Sequence, residues 1–250
     1  MISEFLKNTR VNNMKACIAS YFMPNIDKKT VEYQRKVVEK FNPKKIQHIM
    51  VQGEFPHGLF MDYIWTLNGA PVSTLKGQNI NKQLDCDVVL FLDIDCVPVS
   101  ENAIEAYLTL AADGALVGNA QRSGHIQNDN HLFAAPSALA LSKENFLKMG
   151  SPSALETSRG DVAEEYTYAA ESSDVKIDLY LPTKYDRGVY RYDWEQDRRP
   201  YWTLENGLPN YGLGTTYGNP EADLFWHNFQ IRIENQQQEF WKKCEDLLNG

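Results

Sequence analysis

Apolar and polar positions along the chain fall into two rhythms. Lys15–Phe22 (KACIASYF), Ile46–Val51, Val88–Leu92 and Ala115–Gly118 are short apolar runs bounded by polar or turn-forming residues, which predicts strands buried in a covered sheet. Between the first two, Asp27–Phe41 brings Val31, Tyr33, Val37, Val38 and Phe41 to one side of a charged segment, as an amphipathic helix does, and Asn42-Pro43 ends it. Leu59–Leu67 predicts a short helix closed by Asn68-Gly69. Gly77–Leu84 reads as helical, and Pro98 is expected to break the strand that begins at Val88. Ser100 then caps a helix to about Ala112, with Glu101 in its first turn. Leu132–Leu141 is apolar and stops at Ser142, which with Glu144 and Asn145 opens a helix to Met149-Gly150. Helices over Asp161–Ala170 and Glu234–Leu248, and strands over Val175–Leu181 and Ala222–Trp226, complete the pattern.

Strands alternate with helices up to about residue 181, which predicts an α/β sheet with helices on both faces. Pro182–Pro220 differs: Tyr, Trp, Asn, Gly, Pro and Arg dominate and the periodicity is lost, so a long irregular lid or binding wall is expected there. Its arginines Arg187, Arg191, Arg198 and Arg199 lie beside Tyr190, Tyr192, Trp194, Tyr201 and Trp202, suited to diphosphates and sugar faces. The bland reading pairs those arginines with Asp186, Asp193, Glu195 and Asp197.

At 250 residues the chain is expected to form one domain, with residues 15–100, 101–181 and 182–250 as its successive parts. A formal charge of −8 argues against duplex nucleic acid or an anionic membrane as the main partner. An anionic small molecule stays compatible, because a bound divalent metal reverses the local sign. Cys17, Cys86, Cys96 and Cys244 have no metal-binding or disulfide spacing, which predicts buried thiols in a reducing, cytoplasmic setting. No run is apolar enough to span a bilayer, and the first residues, MISEFLKNTRVNN, do not read as a secretory signal.

The chemistry concentrates at Asp93 and Asp95, which follow the apolar run Val88–Leu92. On a regular strand the i, i+2 spacing puts both carboxylates on one face. Two such charges repel unless something positive lies between them. Mg²⁺ and Mn²⁺ suit carboxylates and bridge phosphate oxygens, so a metal–phosphate site at the carboxyl end of a central strand is expected.

The segment KGQNINKQLDCDVVLFLDIDCVPVS resembles the nucleotide-sugar-binding half of GT-A-fold glycosyltransferases, especially the family 2-like enzymes with a D-x-D motif. The match follows the order of elements over about residues 15–180. It implies a three-layer fold around a central mixed, mostly parallel sheet, and a hexosyl-type transfer from a nucleoside diphosphate sugar to a glycan or glycoconjugate hydroxyl. It further implies Mn²⁺ or Mg²⁺ on Asp95, with Asp93 beside it or on the ribose. Ala19, Tyr21, Gln52 and Glu54, at the ends of the first two strands, would flank the base, and Lys76 and Asn81 would lie on the donor side. GDVAEEYTYAA is similar to the segment carrying the catalytic acid, with Asp161 as candidate base and Glu164 and Glu165 as its neighbours. Trp226-His227-Asn228-Phe229 is similar to a C-terminal segment that supplies a third metal ligand, His227. The competing reading makes His227 a packed histidine within an aromatic cluster. His125 and His131, in polar surroundings, read as solvated surface residues.

Two other classes compete. FLDIDCV also matches the first motif of haloacid-dehalogenase-type phosphatases, with Asp93 as nucleophile and Gly160-Asp161 with Glu165 imitating a late metal motif. A non-catalytic carbohydrate-binding protein accounts for the aromatic segment but not for the two acids.

Overall fold

The computed structural model describes residues 14–78, 80–123, 131–189, 212–229, 231–232 and 234–250. Among them the chain forms strands β1 (Ala16–Phe22), β2 (Gln47–Gln52), β3 (Val88–Leu92), β4 (Cys96–Pro98), β5 (Ala115–Arg122), β6 (Leu132–Ser142), β7 (Lys176–Val189), β8 (Gly212–Asn219) and β9 (Ala222–His227). The helices are α1 (Lys28–Lys40), α2 (His57–Leu67), α3 (Ala103–Ala112), α4 (Lys143–Lys148), α5 (Glu164–Ser172) and α6 (Glu234–Asn249). The architecture is α/β, with a mixed sheet in the order β2-β1-β3-β6-β5-β7-β8-β9-β4. β2, β1 and β3 are parallel and β7 is parallel to β5, but β6 runs antiparallel between β3 and β5. The β7-β8, β8-β9 and β9-β4 pairings are antiparallel too, so the sheet is mixed without being mostly parallel as the resemblance implied.

The pleat of the buried strands assigns their side chains. Cys17, Ala19, Val89 and Phe91 pack on one face with Phe60 and Trp65 of α2, Phe146 of α4 and Tyr166 of α5. Ile18, Val88, Leu90 and Leu92 pack on the other with Ile104, Tyr107 and Leu108 of α3. All five β3 residues are buried, as an unbroken apolar run requires. Local chemistry starts the helices: Asp27 accepts a hydrogen bond from the Lys29 N–H at the head of α1, and Ser142 accepts one from Asn145 at the head of α4. α2 is held by its buried Asp62, which accepts from Thr74 Oγ1, Ser153 Oγ and the Ala154 N–H at 2.5–2.8 Å. Gly58 lets α2 approach this same loop, since a Cβ there would lie 2.3 Å from the Ala154 carbonyl.

Four expectations are corrected. The described residues of Gly77–Leu84 form no helix; a single 3-10 turn at Ser73–Leu75 precedes them, and Leu67 O accepts the N–H groups of both Gln83 and Leu84. Buried Asn68 also exchanges two hydrogen bonds with the backbone of Cys86, so tertiary contacts override the local pattern. Ser100 does not cap α3; Asn102 holds that position, and Ser100 Oγ donates to its side chain instead. The strand that begins at Val88 stops at Leu92, ahead of Pro98, which instead is the last residue of β4 and pairs with Phe225. Finally, Pro182–Pro220 is not irregular throughout, because β7 continues to Val189 and pairs antiparallel with β8. Residues 190–211, with Arg191, Arg198, Arg199 and the aromatics expected to wall the acceptor, lie outside the described residues, as does His125.

The sheet order carries a geometric consequence. β3 and β4 are separated only by Asp93–Asp95, a reach of about 14 Å. Yet six strand spacings separate them in the sheet, roughly 29 Å if flat. The sheet therefore curls, and its far end, β9-β4, returns to the carboxyl end of β3. α1 and α6 cover this returning end: Val37, Phe41, Val97, Trp226 and Phe240 form a third core there.

A polar chain runs under the same strand ends. Gln34 Nε2 donates to Ser20 Oγ and to the Asp93 carbonyl, and Ser20 Oγ lies 3.0 Å from His48 Nε2. Burial, helped by the Arg35 charge, depresses the His48 pKa to about 4, and its Nδ1 has no partner. The unfolded chain therefore takes up this proton first. Stability is full above the ordinary histidine value of ~6.5 and falls by about 2–3 kcal/mol as pH drops towards 4. Urea denaturation at pH 4.5–7 should show a flatter acid limb for His48→Gln than for the wild type; identical limbs would exclude His48 as the group responsible.

Among the described residues no helix is long and apolar enough to cross a membrane. The four cysteines are buried and free.

Candidate metal centre

The apolar run stops at Leu92, and the chain turns over Asp93–Cys96, with the Cys96 N–H donating to the Asp93 carbonyl at 3.0 Å. Asp93 and Asp95 thus converge through a turn and not through the pleat of a strand. β4 then pairs antiparallel with β9, setting His227 opposite Cys96. The Asn228 N–H donates to the Asp95 carbonyl at 2.9 Å and fixes the register.

Asp93, Asp95 and His227 each bring one ligand atom within 4.8 Å of the others. His227 Nε2 lies 3.2 Å from Asp95 Oδ1 and 4.0 Å from Asp93 Oδ2. The Ile231 N–H donates to Asp95 Oδ2 at 3.4 Å. Phe229 braces the imidazole edge-on at 5.2 Å, from a backbone with φ of 65°, a strained conformation for a bulky residue.

The charges are unequal. Burial alone would raise Asp95, but the His227 imidazole and the Ile231 N–H outweigh it and hold its carboxyl below the ordinary range. Burial pushes Asp93 upwards; His57 and His227 oppose that push and the Asp95 charge adds to it. A fifth of the Asp93 side chain is exposed, against a tenth of that of Asp95. Burial also works against a charged His227, yet the two carboxylates raise it above its ordinary value. The His227 proton thus does part of what a cation would do there.

These residues fit a divalent cation. Two carboxylates and an imidazole are a donor set for Mn²⁺ or Mg²⁺, with the nitrogen favouring the former. An orphaned polar atom belongs to the same cluster: buried His227 Nδ1 lacks a partner.

The cluster lies in a cavity of about 530 Å³ walled by Tyr21, Phe55 and Phe229, with Glu54, His57 and Arg232 among its polar residues. Its place at the carboxyl ends of β1 and β3 is where open α/β sheets receive ligands. A larger groove of about 720 Å³ runs along β7 past Leu110, Tyr180 and Gly218. Its charged residues Lys176 and Asp178 pair with each other at 2.6 Å, and none of the three clustered groups borders it.

No protein-family model matches the chain, and no curated protein matches it. Among solved structures, A197 from STIV matches with 11% identity and a TM-score of 0.37, over 66% of this chain and 80% of that one. A likeness that slight carries no argument about function.

Of the residues expected from the sequence, Tyr21, Glu54, Asp93, Asp95 and His227 line one cavity. Tyr21 gives it an aromatic face, while its hydroxyl joins the Gly53 and Phe55 carbonyls at 2.8 and 2.6 Å. Ala19 is fully buried in the sheet and has no surface to offer a base. Gln52, Lys76 and Asn81 are exposed and do not border the cavity. Nor do Asp161, Glu164 and Glu165, which gather before and within the first turn of α5. Buried Glu164 accepts from the Asp161 N–H at 2.7 Å and meets His131 Nδ1 at 2.5 Å. Glu165 is held by Arg159 and by Thr157 Oγ1. His131 is therefore no solvated surface histidine: it lies between Glu164 and Glu171 and stacks on Tyr168 at 4.0 Å.

Sequence reasoning missed His57, whose Nε2 lies 3.3 Å from Asp93 Oδ1. The signal available was a histidine directly after Pro56, just past the carboxyl end of β2.

Proposed function

We propose that the chain is a metal-dependent glycosyltransferase of the GT-A fold, moving a sugar from a nucleoside diphosphate sugar to a hydroxyl acceptor. The observation that carries this reading is the meeting of Asp93, Asp95 and His227 beside an aromatic-walled cavity at the ends of parallel strands. The mixed sheet with packed helices on both faces is in line with it.

Asp93, Asp95 and His227 hold the cation, which when bound neutralises the charge growing on the departing diphosphate. Tyr21, Phe55 and Phe229 offer flat faces to base or sugar, and the Arg232 guanidinium is suited to phosphate oxygens. Asp161 lies outside that cavity, at the head of α5, so in this reading the acceptor hydroxyl enters from that side for Asp161 to take its proton. Glu164 and Glu165 keep that segment in shape through His131, Arg159 and Thr157. No observation favours the phosphatase or the binding-only alternative.

A thermal-shift panel of uridine, guanosine, adenosine and cytidine diphosphates, with and without Mn²⁺, tests the proposal. At least one should raise Tm with metal and leave it unchanged without metal. No response to any pairing, or hydrolysis of p-nitrophenyl phosphate that depends on Asp93, would overturn the reading.

A further inference from the structure

Asp93 stands between two imidazoles. His57 Nε2 faces its Oδ1 at 3.3 Å, while its Oδ2 is turned towards His227. The group whose ligand atoms lie within 4.8 Å of one another comprises Asp93, Asp95 and His227 and does not include His57. His57 lines the same cavity on the Asp93 Oδ1 side, farther from the shared position of the three donors. A carboxylate with one oxygen engaged presents the other in a fixed direction, whereas a freely rotating one spends part of its time misaligned.

The elements around His57 hold it more firmly than packing alone requires. It is the first residue of α2, and its ring stacks on Tyr21 at 6.0 Å and 14° and on buried Phe60 at 6.1 Å and 21°. Tyr21 is tied through its hydroxyl to the Gly53 and Phe55 carbonyls and accepts the Phe55 N–H at 3.1 Å. α2 is fixed in turn by Asp62 and by the close approach at Gly58. The other stacked rings here are phenylalanine and tyrosine. An imidazole adds a nitrogen, and that nitrogen faces the Asp93 carboxylate.

We propose that His57 is a positioning residue: its Nε2 engages Asp93 Oδ1 so that Oδ2 faces the cation, and it thereby sets the affinity for a divalent metal. This rests on the metal reading of the Asp93, Asp95 and His227 cluster given above.

Calorimetric titration of Mn²⁺ alone into the full chain tests it, with His57→Ala, His57→Gln and Asp95→Ala beside the wild type and Tm recorded for each. Glutamine carries its amide nitrogen about as far from the backbone as Nε2 and keeps a donor there. His57→Ala should weaken Mn²⁺ by about 10–100-fold. His57→Gln should recover most of that loss, and Asp95→Ala should bind no Mn²⁺. Should His57→Ala fail to fold, His57→Phe keeps the stack, removes the donor and carries the same expectation. Wild-type affinity in His57→Ala overturns the proposal. So does a glutamine variant as weak as alanine, which would make the ring's packing responsible. A loss as complete as that of Asp95→Ala also overturns it, by making His57 a ligand. If the wild type binds no Mn²⁺, the metal reading itself fails; if it binds and only the His57 expectation fails, that reading stands.

Discussion

Asp95→Ala removes Mn²⁺-dependent affinity for a nucleoside diphosphate while leaving the fold intact. The loss exceeds the ~10–100-fold expected for a supporting residue, because a direct ligand is deleted. Two of the three grouped donors would remain, Asp93 and His227, too few to hold a hard cation against water. The domain stays folded but loses some Tm: buried His227 is left without its nearest carboxylate and the Ile231 N–H without an acceptor, offset in part because Asp93 is relieved of a like charge. Titration calorimetry with Mn²⁺ and the best diphosphate from the thermal-shift panel, together with a Tm measurement, reads both effects. Undiminished affinity would remove Asp95 from the metal site. A fall in Tm matching the loss of binding would mean that the carboxylate serves the fold.

Asp161→Asn lowers turnover by ~10²–10⁴ and leaves donor affinity nearly unchanged, since a general base acts in the transition state. Its neighbours separate catalysis from structure. Glu164 is fully buried and joined to both His131 and the Asp161 N–H. Glu164→Ala therefore costs about 1–3 kcal/mol of stability, by leaving the Asp161 N–H without its acceptor and His131 with Glu171 alone. Burial opposes charge on His131, but Glu164 and Glu171 raise it above its ordinary value, so it depends on these acids. Single-turnover rates, donor affinity and urea denaturation on both variants give the comparison. If Asp161→Asn loses donor binding or stability and not rate, Asp161 is not the base, and another acid must be sought.

Much of this protein is written locally. The run Val88–Leu92 has no polar position for water to reach, so it was legible as the buried central strand. Asp27 and Ser142 announce their helices through side-chain oxygens that satisfy N–H groups a few residues on. The apolar-then-polar alternation up to about residue 181 was enough for an α/β sheet with helices on both faces. Asp93 and Asp95 stood out as a candidate site from charge alone.

Long-range pairing decided the rest. Gly77–Leu84 has a helical pattern, but Leu67 takes the N–H groups of Gln83 and Leu84, Asn68 ties down Cys86, and no helix forms among the described residues there. Asp93 and Asp95 share a site through the turn after Leu92, not through the strand that their spacing suggested. His227 reaches them only because the sheet curls and lays β9 against β4, joining residues 132 positions apart. His57 arrives from a third direction, on a helix placed by Asp62, Gly58 and the ring of Tyr21. Local sequence sets which backbone conformations are cheap and which side chains avoid water. Which charged groups finally meet depends on how the assembled sheet closes, and no short stretch of the chain contains that information.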